Sequence, residues 1–263
     1  MSRLKTLLWK EFKSNARLWF AVVVGLTVLG MMSVLVMVLL PNITPEEYRA
    51  LLPEPSPMLA LTDCVGNLWQ IGGLVACVIA AASIPAEVER GTMELVLSCP
   101  VRPWEIIASK YISRAVMIAI AVYTSALATW AYSHVLGGYP IARIIIAATH
   151  LILALMVVTA ISALVGALFR TQVAAIACSI ALNLTVALLK TLARHHTVLQ
   201  QAHPFTCVDT AYNVISLANI TSTEMLTSIV ISAAYIALFS LLSTLAFKWR
   251  FEMAPSHHLP QVL

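Results

Sequence analysis

Long apolar runs constrain the fold of this chain more than any other feature. A helix needs roughly 20 apolar residues to cross a bilayer, and several stretches reach that length. Of the 263 residues, 60% are hydrophobic and only 11% are charged, whereas soluble domains carry about 25% charged residues. A soluble fold is therefore not expected, and the sequence predicts an all-α, polytopic membrane protein.

The predicted organisation is a surface helix, six membrane spans and their connections in a single transmembrane domain. We expect the spans at 18–40, 68–86, 113–135, 141–169, 172–192 and 225–247. The remaining segments are an outer loop (41–67), a cytoplasmic connector (87–112), a longer outer segment (193–224) and a cytoplasmic tail (248–263). Pro41 is predicted to end the first span, because proline interrupts a helix.

Residues 1–17 predict a basic amphipathic helix. Leucines and Phe12 recur at helical spacing, and lysines and arginines fill most other positions. Such a helix lies flat at the membrane surface with its basic side chains at anionic headgroups; a disordered basic tail is the alternative. The apolar run that follows is too long for a signal-peptide core, so we expect it to be retained.

Positive charge predicts the orientation of the chain. Twelve of its sixteen lysines and arginines fall on the side of the amino terminus. Since cytoplasmic loops carry the excess of these residues, both termini and the connector are expected in the cytoplasm, at the plasma membrane.

Several kinds of chemistry have no sequence support. The chain contains neither a GxxxxGK[ST] phosphate loop nor the HExxH and GxSxG motifs. No basic stripe interleaved with aromatics is present, so nucleic acid is not an expected partner. We therefore expect no catalytic residue, cofactor or metal in this chain.

The connector sequence EVERGTMELVLSCPVRPWEIIASK, from Glu87 to Lys110, concentrates charge in an otherwise apolar chain. Its first part is predicted to extend the second span as a helix that carries a charged ladder. The two prolines then break that helix, and a short amphipathic helix restarts at Pro103. The ladder is Glu87, Arg90 and Glu94, and the large apolar groups of the second helix are Trp104, Ile106 and Ile107. These apolar groups suit either a cytoplasmic partner or anchoring at the membrane interface.

The same stretch resembles the signature of permease subunits of the ABC-2 family of ATP-binding-cassette transporters. The family motif, ExExGTxExLLSxPVxRxxxxxxK, also follows the second span. It is matched by Glu87 to Glu94, Leu95, Leu97, Ser98, Pro100, Val101, Trp104, Glu105 and Lys110. Two departures are Val96 in place of a leucine, and Pro103 where the family's basic residue stands, with Arg102 one place earlier.

This resemblance implies an architecture like that of type V exporters: an amino-terminal interfacial (elbow) helix and six spans. It also implies a second permease copy or paralogue, membrane lipids and a separate ATPase subunit as partners, with ATP and magnesium bound by that subunit. Pro100 to Ala108 would be the coupling helix, and the outer segment would dip back into the bilayer. The residues implied in coupling are Glu87, Glu89, Arg90, Gly91, Thr92, Glu94, Ser98, Pro100, Val101, Arg102, Trp104, Glu105 and Lys110.

Polar residues within and beside the spans suggest further sites. His150 and Asn183 could line a substrate path, together with hydroxyls of neighbouring spans, or could make ordinary interhelical hydrogen bonds. An outer metal cluster would use His195, His196, His203 and Cys207. The irregular spacing of these residues argues against such a cluster. Cys64 and Cys207 both fall on the outer side and could form a disulfide.

The favoured function is the permease of an exporter of a hydrophobic or lipid-like compound, such as a peptide antibiotic. Predicted spans without an acidic residue argue against ion coupling. A heterodimeric cation- or metal-linked ABC system is the alternative within transport. An intramembrane enzyme and a membrane module without transport are the alternatives of another class.

Overall fold

The computed structural model describes residues 3–49, 52–193 and 196–252, which form twelve helices. The helices are α1 (Arg3–Ser14), α2 (Ala16–Ile43), α3 (Glu46–Arg49), α4 (Pro57–Ala82), α5 (Pro85–Glu89), α6 (Thr92–Leu97), α7 (Pro103–Ser133), α8 (Ile141–Leu168), α9 (Gln172–Ala193), α10 (Thr197–Gln201), α11 (Thr206–Ile215) and α12 (Ser222–Glu252). Six of them, α2, α4, α7, α8, α9 and α12, are long and apolar enough to cross a membrane. The prediction of an all-α protein with six spans is confirmed.

The second spanning helix begins earlier than the sequence predicts. Ser56 caps α4, its hydroxyl accepting a hydrogen bond from the Leu59 amide at 3.2 Å, and Pro57 occupies the first position, where a missing N–H costs nothing. The predicted loop 41–67 is therefore wrong from residue 57 onward. Asp63 consequently lies within a spanning helix, which corrects the expectation that the spans contain no acidic residue.

The third spanning helix also begins earlier than predicted. α7 starts at Pro103 and runs without a break to Ser133, so Pro103 to Ala108 is its first part and no separate coupling helix exists at 100–108. Pro41 likewise does not end the first span, because α2 continues to Ile43. The Thr44 amide and hydroxyl both donate to the Leu40 carbonyl and complete this last turn.

α8 is the central helix of the bundle and packs against α4, α7, α9, α11 and α12. Its small residues allow close backbone approach: a Cβ atom at Gly166 would lie 2.5 Å from the Ala81 carbonyl oxygen of α4. Gly30 of α2 is equally tight, since a Cβ atom there would collide with the Ser125 hydroxyl of α7. Small residues permit such contacts between spanning helices.

The bundle has two distinct ends. α4 finishes and α7 starts at what we name the connector end, which holds residues 83–102 and α1. The opposite, far end holds α3, α10 and α11. Side chains of three helices fasten α11 there: Lys190 of α9 pairs with Asp209 at 2.7 Å, Arg143 of α8 donates to the Val214 carbonyl at 3.0 Å, and Ser232 of α12 donates to the Cys207 thiol at 3.2 Å.

Candidate functional site

Five charged side chains meet where α1, α5 and α7 come together, and we name them the ion cluster: Lys10, Glu11, Glu87, Lys110 and Arg114. The Glu11 carboxylate accepts hydrogen bonds from Lys110 Nζ at 3.1 Å and from Arg114 at 2.9 Å. Glu87 Oε1 lies 2.8 Å from Lys10 Nζ and 3.0 Å from Lys110 Nζ. The cluster thus joins three segments that are far apart in sequence.

The centre of the ion cluster is buried. Glu11 is 3% exposed, and Lys110 and Arg114 are nearly as well covered. Burying charge is costly unless partners and further hydrogen bonds compensate. Lys110 also donates to the Ser83 carbonyl at 3.2 Å, and Arg114 donates to the Lys110 carbonyl at 2.9 Å. The bond to Ser83 anchors the end of α4 to α7.

Glu11 is held in its ionised form. Burial alone would raise the pKa of its carboxyl, but the charges of Lys110 and Arg114 and their hydrogen bonds outweigh burial and lower that pKa to about 2. Glu87 Oε2 and Arg114 Nε, both buried, have no hydrogen-bond partner among the described residues. The ion cluster therefore has unused hydrogen-bonding capacity in this arrangement.

The sequence identifies only part of the ion cluster. The motif includes Glu87 and Lys110 as coupling residues, whereas it does not include Lys10, Glu11 or Arg114. Glu11 is the sole acid of α1 and lies among basic side chains that the sequence predicts at the membrane surface. A clue was available, because Lys110 and Arg114 stand four residues apart and so share one helical face.

The connector is two short helices joined by a sharp turn, not one extended helix. Pro85 opens α5, and Gly91 ends the turn with a left-handed φ of +69°, a conformation that glycine adopts without strain. The Thr92 hydroxyl donates to the Glu87 carbonyl at 3.2 Å across this turn. Because the helix breaks here, the predicted ladder of Glu87, Arg90 and Glu94 on one face is wrong.

An apolar cluster lies beneath the connector and attaches it to the spanning helices. Its buried members are Ile84, Met93, Ile106, Ile107, Ala167 and Phe247. They come from the connector, α7, α8 and α12. The connector is therefore packed against the bundle and does not hang free of it.

Glu89 links the connector to α9. Its Oε1 atom accepts a hydrogen bond from the Gln172 amide at 2.8 Å, and its Oε2 atom accepts one from the Gln172 side chain. Gln172 is the first residue of α9, where backbone N–H groups have no helical partner. Glu89 therefore caps this helix from outside, in a position where negative charge also favours the helix dipole.

Three large apolar side chains of the connector and the first turn of α7 face outward: Leu95, Leu97 and Trp104. We name them the docking surface. Ile106 and Ile107, which the sequence suggested beside Trp104 as either partner contacts or interface anchors, are buried in the apolar cluster. Because the apolar cluster covers the opposite face, Trp104 is the exposed residue of the first two turns of α7.

The other predicted coupling residues lie on the connector and in the first two turns of α7. The Arg102 amide donates to Glu105 Oε2 at 2.7 Å, which caps α7, while the Arg102 side chain is exposed. Val101 packs against the apolar cluster. Six more predicted coupling residues besides Glu89 are exposed on the connector: Arg90, Gly91, Thr92, Glu94, Ser98 and Pro100.

Of the two residues predicted to line a path, Asn183 borders a cavity. This cavity of about 290 Å³ lies between α4, α8 and α9, with Phe205 also in its wall, and its lining is mostly apolar. Asn183 donates to the Ser162 hydroxyl at 3.2 Å, and its Oδ1 atom has no partner among the described residues. His150 is buried on α8 and its Nδ1 atom bonds the Ile146 carbonyl.

The described residues form neither the outer metal cluster nor the disulfide that the sequence left open as alternatives. His195 lies outside them, and His196 is exposed. The ring of His203 is occupied: Nε2 donates to the Val186 carbonyl at 2.9 Å and Nδ1 accepts from the Phe205 amide at 3.1 Å. Cys64 and Cys207 are free thiols. Cys64 contacts Thr129 of α7, whereas Cys207 contacts Ser228 of α12.

Six spanning helices and a charged, packed connector between the second and third define an integral membrane protein of the transporter-permease class. The family model described as ABC-2 family transporter protein matches residues 5–252. The chain therefore belongs to the ABC-2 family, whose members are membrane components of transporters and not the ATPase itself. Comparison with curated proteins gives no match.

Proposed function

We propose that this chain is the membrane subunit of an ATP-driven exporter of a hydrophobic or amphipathic compound. A separate ATPase subunit, which binds ATP and magnesium, would attach at the docking surface. The observation that supports this most strongly is the connector itself. It exposes Leu95, Leu97 and Trp104 to a partner while its other side is fixed to the spanning helices.

The contacts of the connector suggest how movement would pass into the bundle. Glu87 ties α5 to Lys110 of α7, and through Lys110 to Glu11 of α1. Glu89 ties the same short helix to the start of α9. A partner that displaces the connector would thus move α1, α7 and α9 together.

ATP can drive such a movement only if two arrangements of the helices hold the ATPase with different affinity. The unused hydrogen-bonding capacity at Glu87 and Arg114 suits a cluster that exchanges partners between two arrangements. Orphaned buried polar atoms cost about 1–3 kcal/mol each. A second arrangement that satisfies them would recover part of that free energy.

The exported compound would be largely apolar, because the cavity beside Asn183 is lined mainly by hydrophobic side chains. The connector end and the amino terminus would lie on the cytoplasmic side of the plasma membrane, because lysine and arginine are in excess on that side. A second permease copy or paralogue would complete the transporter within the lipid.

Co-purification with the ATPase subunit encoded nearest to this chain's gene tests the proposal. Leu95→Asp should abolish co-purification and stimulated ATP hydrolysis, because it places a charge within the apolar docking surface. Val135→Asp is the matched control, since Val135 at the far end has the same exposed fraction, 69%. Retention of the ATPase by Leu95→Asp, or equal loss in both variants, would contradict the proposed docking.

A further inference from the structure

A second cavity opens at the far end of the bundle. It has a volume of about 370 Å³ and is bordered by α2, α4 and α11. Its polar side chains are Ser33, Thr62, Asp63, Asn67, Gln70 and Tyr212, and its apolar wall is Met32 and Val36. We name it the polar chamber; the cavity beside Asn183 is the apolar cavity. Both volumes are of the size that binds small molecules.

Asp63 is the one acidic side chain among the described residues that line the polar chamber. It lies within the spanning helix α4, and no lysine, arginine or histidine of the described residues lies within ion-pair distance of it. A carboxylate in such a helix is costly without a partner. A single carboxylate does not suit a metal ion, and the described residues bring no group of three metal-binding side chains together.

The other polar groups of the chamber are held in place around Asp63. Asn67, one turn along α4, donates to the Ser33 hydroxyl at 3.1 Å. The Tyr212 hydroxyl reaches over Gly66, where a Cβ atom would lie only 2.9 Å from it. Burial, and then the charges of Asp63 and Asp209, raise the pKa of Tyr212, so the phenol stays neutral and presents an acceptor oxygen.

Gln70 borders both the polar chamber and the apolar cavity, so the two lie side by side on α4. Their chemistry differs: one offers a carboxylate with amide and hydroxyl oxygens, and the other offers Trp69, Leu74 and Phe205. A molecule spanning both would place a hydrogen-bond-donating cation in the chamber and an apolar chain beyond Gln70.

We infer that the polar chamber and the apolar cavity together bind an amphipathic compound with a primary ammonium group. Its ammonium group donates to the Asp63 carboxylate and to neighbouring oxygens, and its apolar chain occupies the second cavity. This assignment rests on the proposed export function and names its substrate class. The ammonium group could belong to a membrane lipid such as phosphatidylethanolamine or to a soluble long-chain amine.

The test is binding to the purified chain in dodecyl maltoside micelles, measured by native mass spectrometry with dodecylammonium as the probe. Asp63→Asn should weaken binding about tenfold, because a charge-assisted hydrogen bond is replaced by a neutral one. Asp63→Glu should restore most of the affinity. The matched control is Glu54→Gln, which removes an exposed acid outside the chamber and should leave binding unchanged.

Dodecyl sulfate, with the same chain and opposite charge, should bind wild type much more weakly than dodecylammonium; this comparison needs no variant. Gly66→Ala provides a second variant, which displaces the Tyr212 hydroxyl without changing charge and should also weaken ammonium binding. Equal binding of the two probes, or equal affinity of wild type and Asp63→Asn, would overturn the inference.

The source of the ammonium group is decided by adding lipid to the same assay. Phosphatidylethanolamine that competes with dodecylammonium, while phosphatidylglycerol does not, identifies a lipid headgroup. Failure of both lipids to compete identifies a soluble amphipathic amine. This binding assay contains no ATPase subunit, so its result is independent of docking. Failure of the chain to co-purify with an ATPase, together with retained ammonium binding, would count against the proposed export function alone.

Discussion

Replacing Glu11 by glutamine tests the ion cluster most directly. Glutamine keeps the shape of the side chain but removes the negative charge that faces Lys110 and Arg114. Lys110 retains Glu87 at 3.0 Å, whereas Arg114 loses the one carboxylate that contacts it among the described residues. The variant therefore leaves a buried guanidinium without a counter-charge.

The expected loss of stability follows from the pKa of Glu11. Its reduction from 4.5 to about 2, at 1.36 kcal/mol for each pKa unit, corresponds to about 3 kcal/mol. Breaking a buried ion pair by removing one partner typically costs about 3–5 kcal/mol. For a chain of this size, about 3 kcal/mol lowers the melting temperature by roughly 6–12 °C.

The measurement is thermal unfolding of the purified protein in detergent near neutral pH. Glu47→Gln, the same substitution at an exposed acid of α3, is the control and should change the melting temperature little. The double variant Glu11→Gln/Arg114→Gln should be more stable than Glu11→Gln alone, because both buried charges are gone. Equal melting temperatures for Glu11→Gln and Glu47→Gln would refute the reasoning.

Two further predictions concern acid and helix packing. Because folding lowers the pKa of Glu11, the stability that its ionised carboxylate contributes is complete above pH 4.5 and is lost as pH falls toward 2. The melting temperature of wild type should therefore fall more than that of Glu11→Gln between pH 5 and pH 3. Parallel plots of melting temperature against pH for the two proteins would contradict this. Gly166→Ala should destabilise the bundle by about 1–3 kcal/mol, because the new methyl group meets the Ala81 carbonyl oxygen at 2.5 Å. The control is Gly25→Ala, where nothing lies within 4 Å of the added atom; equal denaturation midpoints for the two variants would show that close packing at Gly166 is unimportant.

The sequence predicts the spanning helices well wherever apolar length alone determines them. The fourth span, expected at 141–169, is Ile141–Leu168, and the fifth begins at Gln172 as expected. Prediction fails where a helix carries polar residues beyond its apolar run. Asp63 and Asn67 suggested a loop, although the Ser56–Pro57 pair that starts α4 was present in the sequence.

The candidate site could be predicted only in part, for a related reason. The motif directs attention to the connector, but contacts between distant segments are invisible in local patterns. Glu11 and Lys110 are 99 residues apart, and Glu89 and Gln172 are 83 apart. Ile106 and Ile107 were misassigned because periodicity shows that a helix has an apolar face without showing which protein surface covers it.

The unbroken course of α7 has a mechanical consequence. The helix extends from Trp104 at the docking surface past Ser125, whose hydroxyl donates to the Leu26 carbonyl at 2.7 Å beside the tight contact at Gly30. At 1.5 Å per residue, the arm from Pro103 to Ser125 is about 33 Å, and the arm from Ser125 to Ser133 is about 12 Å. If α7 moved as a rigid rod about that contact, displacement would be reduced about threefold and force multiplied by the same ratio. Large, weak movements at the connector end would thus become small, forceful ones at the far end.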